Sequence, residues 1–430
     1  MLGYGLFPYS QHLFFCVKIK KTPKHPHITI RYSEVITIHN HCINQLLNLE
    51  GVIVKKIIHA DSFVKIYLET KPSQQICPHC GASTKKIHDY RSQTIKDLPF
   101  QLKHCYLVLK KRRYTCSCGK HFYEKYSFLP RYFQRTSRLT AFLAHSLHKN
   151  QSIQDLSLSA NVSSSTVHRI LDTVSYSRRK FPEVLSIDEF KGNADTGKYQ
   201  CILTAPIKRR ILDILPDRTQ SHLAAYFSSV PKAERYRVKY FVCDMWTPYT
   251  ELAKIYFPHA KIIIDKYHFI RQVTWAIEGV RKRLQRSMPS SLRKYYKRSK
   301  RLILTRYHKL NEESRKACDL MLLYNDDLRK AHFLKEKFYD ICQDHKYSRQ
   351  RKDFFDWIKA AETSGIPEFE KCAKTYRNWA KEILHAFKYP HITNGPTEGF
   401  NNKIKVLKRI SYGIRKFKRL RTRIFLITDN

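Results

Sequence analysis

Acidic side chains that close short apolar runs are the residues of this chain best placed to do chemistry. Asp188 ends the run Val184-Leu185-Ser186-Ile187, Asp244 follows Tyr240-Phe241-Val242-Cys243, and Asp265 follows Lys261 to Ile264. A single aspartate at a strand end is most often a turn former. Three at the strand ends of one sheet share an edge, which is where ligands of open α/β sheets sit. Glu398 is a fourth acid, in the first turn of a helix opened by Asn394-Gly395-Pro396 and followed by Lys403, Lys405, Lys408 and Arg409. It either complements the helix dipole or joins Asp188 and Asp244 at the mouth of a basic groove. Carboxylates are the hard oxygen donors that Mg²⁺ prefers. Two such ions, Mg²⁺ or Mn²⁺, about 4 Å apart could activate a water or a 3′-hydroxyl for phosphodiester chemistry.

A second constellation is built from sulfur. Cys77-Pro78-His79-Cys80-Gly81 and Cys116-Ser117-Cys118-Gly119 form two knuckles, each closed by a glycine that permits the tight turn. Four thiolates suit one structural, tetrahedral Zn²⁺. The second pair is tighter than usual, so His104, Cys105 and His121 stand as alternative ligands. The 12 cysteines are spread over 430 residues, which favours reduced thiols with one metal site over a disulfide framework.

The elements that must hold these groups sit in a strongly basic chain, with 80 Lys and Arg against 36 Asp and Glu. That balance, with 27 Tyr and 24 Phe, points to a polyanion carrying stackable bases, and nucleic acid is the leading partner. A 42% hydrophobic content excludes a mainly disordered basic tail. Neither a signal peptide nor a membrane-spanning run is expected, so the chain reads as soluble and intracellular. Residues 1–40 read as a leader of unknown order, and Val52 to Glu69 as a β-hairpin, with Tyr106 to Arg113 a strand leading to the second knuckle. Thr136 to Ser175 has helix-turn-helix spacing, with a serine N-cap candidate before the last helix. On that helix Ser164, Ser165 and Thr166 suit base edges, and His168 and Arg169 lie near phosphate; a three-helix bundle without DNA contact is the bland alternative. From Asp188 onward, strands at 199–204 and 211–215, a helix at 221–230, a strand at 239–243, a helix at 249–256 and a strand at 261–264 give a mixed sheet with helices on its faces. Arg271 to His385 is a long basic helical stretch holding Trp275, Trp357 and Trp379. The closing run contributes Lys403, Lys405, Lys408, Arg409, Arg415 and Lys416 as DNA-contact candidates, with a solvated helix face as the alternative.

Taken together, the zinc ribbon, the helix-turn-helix, Ser186-Ile187-Asp188-Glu189-Phe190, Cys243-Asp244-Met245-Trp246, Asp265-Lys266-Tyr267-His268 and Asn394-Gly395-Pro396-Thr397-Glu398-Gly399-Phe400-Asn401-Asn402-Lys403 resemble the DDE transposases of bacterial insertion sequences, specifically the insertion sequence L3 family, over roughly residues 40–427. The resemblance implies a ribonuclease H-like core with Asp188, Asp244 and Glu398 as its Mg²⁺-binding catalytic triad, and Asp265 and His268 in support. It also implies binding of the element's terminal inverted repeats, DNA cleavage and strand transfer, and a homodimer or larger assembly on DNA. The setting would be cytoplasmic and nucleoid-associated, with no membrane partner.

The expected architecture is therefore multidomain α+β. A leader (1–40) precedes a β-rich zinc-binding domain (41–130) and a helix-turn-helix domain (131–178). A first core part (179–285), a helical insertion (286–384) and a C-terminal core part with the Glu398 helix and basic tail (385–430) complete it. A DNA-binding regulator without catalysis and a metal-dependent DNA nuclease are the competing functions. Glu189 points to the opposite face of its strand from Asp188 by alternation and stands outside the triad.

Overall fold

The computed structural model describes residues 47–193, 195–298 and 300–429. The leader expected over residues 1–40 lies outside them. The chain divides into two compact units between Thr136 and Ser137.

In the first unit, β1 (Val52–His59) and β2 (Phe63–Thr70) form the antiparallel hairpin read from the sequence. Val64, Ile66 and Leu68 alternate inward along β2, the period-two pattern of a half-buried strand. Short β3 (Gln75–Ile76) and β4 (Ser83–Thr84) pair around the first knuckle. Long β5 (Ile87–Phe100) and β6 (Lys103–Thr115) form a second hairpin, and β7 (His121–Tyr123) adds to β6 beyond the second knuckle. The sheet runs β1-β2-β6-β5, with β2 and β6 parallel.

The second unit opens with α1 (Ser137–Ser146), α2 (Ile153–Ser159) and α3 (Ser164–Thr173). Ser152 and Ser163 cap α2 and α3 by accepting from the N–H groups of Asp155 and Thr166, satisfying donors that a helix start leaves free. A five-stranded sheet follows: β8 (Val184–Lys191), β9 (Tyr199–Ala205), β10 (Arg210–Leu215), then α4 (Gln220–Ser229), α5 (Lys232–Arg235), β11 (Tyr240–Cys243), α6 (Thr247–Tyr256) and β12 (Lys261–Ile264). Its order is β10-β9-β8-β11-β12; β8 runs parallel to β11 and antiparallel to β9.

Beyond the sheet come α7 (Lys266–Arg286), α8 (Ser290–Arg298), α9 (Lys300–Leu304), α10 (Glu312–Leu323), α11 (Asp326–Gln343), α12 (Tyr347–Glu362), α13 (Pro367–Asn378) and α14 (Ala380–Lys388). Apart from α8, they share one core with the sheet's inner face, where Leu185 and Ile187 join Phe269, Phe338 and Tyr376. The last helices, α15 (Gly395–Ile410) and α16 (Phe417–Thr428), cover the other face: Phe190, Ile202 and Ile214 pack against Phe400, Ile404, Leu407, Leu420 and Phe425.

Asp188 differs from its expected place at a strand end. β8 continues through Lys191 because β9 stays paired with it, Asp188 opposite Ile202 and Lys191 opposite Tyr199. The parallel pairing with β11 stops at Ser186, opposite Val242. Asp188 therefore emerges where the parallel half of the sheet ends and the antiparallel half runs on.

Candidate catalytic and DNA-binding sites

Strand alternation sets the first acid. Ser186, Asp188 and Phe190 share the face that α15 covers, whereas Glu189 turns to the other face and accepts from Arg218 at 2.5 Å and Tyr249 at 3.0 Å. One Asp188 oxygen accepts the Glu189 backbone N–H at 2.7 Å and the other accepts the Asn401 side-chain amide at 2.9 Å. Burial, reinforced by the Asp244 carboxylate, pushes the Asp188 carboxyl up to about 7. Two acids thus compete for one poorly hydrated region, an arrangement that a bound cation relieves.

Asp244 follows the last residue of β11, and His268, in the first turn of α7, places Nε2 2.9 Å from its Oδ1. Burial works against a charge on His268, but the carboxylates of Asp244, Asp265 and Asp188 outweigh it and raise the imidazole's pKa. Asp265 precedes α7 yet does not cap it; its carboxylate accepts the backbone N–H of Asn394 at 3.2 Å. That bond ties the sheet edge to the start of the Glu398 helix. Burial raises the Asp265 pKa.

Helix α15 is fixed over β8 by small polar groups. Ser186 donates to Asn394, Thr397 donates to Ser186 at 3.3 Å, and the Thr204 and Thr397 hydroxyls are 2.7 Å apart, all buried. Pro396 fills an early helical position, where its missing N–H costs nothing. Glu398 is exposed, one turn before Asn401 and on the same side of the helix. Among the described residues, Asp188, Asp244 and Glu398 are not drawn together as closely as the cysteines are. Asn401, bonded to Asp188, is not among the site candidates read from the sequence; its spacing of three from Glu398 is the signal available there.

The four cysteines do come together: their Sγ atoms lie within 4.8 Å of one another, Cys77 to Cys118 at 3.7 Å and Cys80 to Cys116 at 3.4 Å. A Zn–S bond of about 2.3 Å implies tetrahedral S···S separations of roughly 3.8 Å, so the donor set fits zinc. In each knuckle the glycine N–H donates to the first cysteine's carbonyl at 3.0 Å, with φ +74° at Gly81 and +81° at Gly119, a conformation that suits glycine. The alternative ligands are engaged elsewhere. Cys105 is in the sheet core, His104 sits at the start of β6, and the His121 ring packs edge-on against His88.

The helix-turn-helix residues divide by exposure. Ser165 and Arg169 face outward; Ser164 shares a hydrogen bond with Ser157, Thr166 is buried beside its cap, and His168 is half-buried near Arg419, with its pKa lowered by burial. Helix α16 braces this segment. Arg419 grips Asp172 through two hydrogen bonds of 2.7 and 2.8 Å, and buried Arg423 donates to the carbonyls of Leu147, Lys149 and Gln151 between α1 and α2. In the closing basic run, Lys403, Lys405, Arg409, Arg415 and Lys416 are exposed, whereas Lys408 donates to the Lys191 and Gly192 carbonyls where β8 ends.

Comparison with known proteins gives three matches along the chain. Residues 185–424 match a family model described as a transposase, residues 73–119 one described as the zinc-finger of transposase IS204/IS1001/IS1096/IS1165, and residues 124–175 the helix-turn-helix domain of transposase family ISL3. The chain is 27% identical to a transposase for insertion sequence element IS1001 of Bordetella parapertussis, over 82% of this chain and 88% of that one. It is also 31% identical to an ATP-dependent protease of Lactococcus lactis subsp. lactis, over 21% of this chain and 30% of that protein. No helix among the described residues is long and apolar enough to cross a membrane.

Proposed function

Because the chain belongs to the transposase family ISL3, we propose that it is a DDE enzyme that binds the terminal inverted repeats of its insertion sequence, cuts DNA there and joins the 3′ ends to a target. The observation that carries this reading is the pairing of Asp188 and Asp244 on adjacent parallel strands, with Asn401 of α15 bonded to Asp188. Asp188, Asp244 and Glu398 would hold two Mg²⁺ or Mn²⁺ ions, which supply Lewis-acid activation of the attacking oxygen and stabilise the leaving one.

The chain's own groups prepare that site. Asn401 orients the Asp188 carboxylate, His268 restrains Asp244 and offsets part of its charge, and Asp265 fixes the start of the Glu398 helix. Asp265 and His268 are thus positioning residues. The sheet order, with three antiparallel strands leading into two parallel ones, supports a ribonuclease H-like core. The helices after β12, from residue 286 to 384, are then an insertion between its second and third acids. Exposed Ser165 and Arg169 read the repeat, while Lys403, Lys405, Arg409, Arg415 and Lys416 engage phosphates. Cutting two ends together calls for a dimer or larger assembly, acting on the bacterial nucleoid in the cytoplasm.

The test is a plasmid carrying the inverted repeats that flank the coding region. Wild-type protein with Mg²⁺ nicks it at the repeat ends, and Asp188→Asn binds the repeats while nicking is lost. Nicking by that variant at the wild-type rate overturns the assignment.

A further inference from the structure

Helix α7 starts at the sheet edge beside Asp265 and carries His268 against Asp244, then runs outward for 21 residues. At 3.6 residues per turn, Tyr267, Arg271, Trp275, Glu278, Lys282 and Gln285 fall in one sector about 80° wide and roughly 27 Å long. The first three are solvent-exposed, Tyr267 to 55% and Trp275 to 51%. The Arg271 guanidinium lies over both rings, 4.5 Å from the Trp275 centroid and 5.6 Å from that of Tyr267. The exposure sets Trp275 apart from Trp357, which is 4% exposed and donates its indole N–H to the Leu334 carbonyl.

Further along, the stripe opens into a cleft of about 560 Å³ between α7 and α8. Arg281, Lys282, Arg293, Lys294 and Lys297 line it and no acidic residue does. Glu278, the one acid on the stripe, is already engaged by Arg281 at 2.9 Å and Lys300 at 3.4 Å. Aromatic faces next to the carboxylates and cations beyond them describe a surface for a polyanion whose bases are free to stack. A duplex keeps its bases stacked inside, so the exposed ring faces would find no partner in it. An unpaired strand supplies both bases and phosphates.

We propose that α7 is a track for an unpaired DNA strand, with Tyr267, Arg271 and Trp275 stacking on its bases and the α7–α8 cleft holding its phosphates. The track rests on the proposed DNA chemistry at the carboxylates, from which it leads away. It adds a specificity the triad does not have: preference for DNA ends that are frayed or carry a single-stranded tail.

The test is equilibrium binding by fluorescence anisotropy at fixed salt without added divalent ions, using a twelve-nucleotide oligothymidylate, a duplex with a single-stranded tail, and the same duplex blunt-ended. Trp275→Ala is expected to weaken binding of the oligothymidylate and the tailed duplex about tenfold and to leave the blunt duplex within twofold. Trp275→Phe restores most of the loss, because a ring face is kept. Lys294→Glu combined with Lys297→Glu flattens the salt dependence of tail binding. Equal losses on blunt and tailed DNA make the stripe a duplex surface and overturn the proposal. No change on any probe makes it a solvent or protein face and does the same, as does failure of the phenylalanine to rescue. Since binding is measured without cleavage, these outcomes are separate from nicking by Asp188→Asn, which bears only on the catalytic reading.

Discussion

The thiols and the carboxylates are two sets of candidate metal ligands built on opposite plans. Cys77 and Cys118 meet across a separation of 41 positions, and each knuckle is closed by its own glycine turn. Asp188 meets Asn401 across 213 positions, and Asp188, Asp244 and Asp265 are each held by a group that is not itself acidic: an asparagine amide, an imidazole and a backbone N–H. The difference teaches where each site is vulnerable. A local site fails when its own ligands fail; an assembled one fails when any element carrying it moves.

The largest effect that could break this contrast is removal of zinc. Structural zinc contributes on the order of 10–16 kcal/mol in small zinc domains, so chelation or Cys80→Ser should abolish amide-exchange protection between residues 75 and 123 while the second unit keeps its own. Unaltered protection there would mean that the knuckles fold without metal, and the contrast would collapse. Next comes Asp188→Asn, with an expected loss of at least about 10³ in nicking rate, equivalent to roughly 4 kcal/mol of barrier. Its unfolding midpoint should hold or rise, because the neutral amide removes repulsion with Asp244; a fall of several degrees would show that the carboxylate is needed for folding.

Arg423→Met sharpens the assembled half of the comparison. It removes the donor to three carbonyls, two of them at 2.9 and 3.3 Å, at an expected cost of about 2–4 kcal/mol in denaturant unfolding. Repeat binding should weaken while the zinc content stays unchanged. The smallest effect bypasses both sites. Burial, with help from Lys335 and against Glu336 and Asp319, pushes His332 down to about 4. In the unfolded chain it titrates near 6.5, so the unfolded state binds more protons between those values and stability falls as pH drops from 6.5 towards 4. At pH 5.5 the loss is about 1 kcal/mol, and His332→Gln should flatten that part of the curve without altering nicking at pH 7.5.

The same contrast explains what the sequence disclosed. Knuckle spacing and paired glycines report a local geometry, so Cys77, Cys80, Cys116 and Cys118 could be read together. Asp188 and Asp244 were visible as acids after apolar β-runs, but that Asp188 lies within β8 depends on how far β9 stays paired, a nonlocal fact. Strand β5 was missed because its residues are mostly half-exposed or exposed and lack a clean apolar alternation; the parallel pairing of β2 with β6 has no local signature at all. Within the closing basic run, Arg423 and Arg415 look alike in sequence. One is buried and bonded to three carbonyls, the other exposed, and only the fold separates them.

The brace between α16 and the helix-turn-helix also has a consequence in time. Arg419 lies 247 positions after Asp172, so at about 5–20 residues per second the ribosome delivers the brace on the order of 10–50 s after its target. During that interval α3 and the segment after α1 lack the partners that Arg419 and Arg423 provide. A nascent chain that has not yet reached α16 therefore carries these helices without their brace, and their final packing waits for its synthesis.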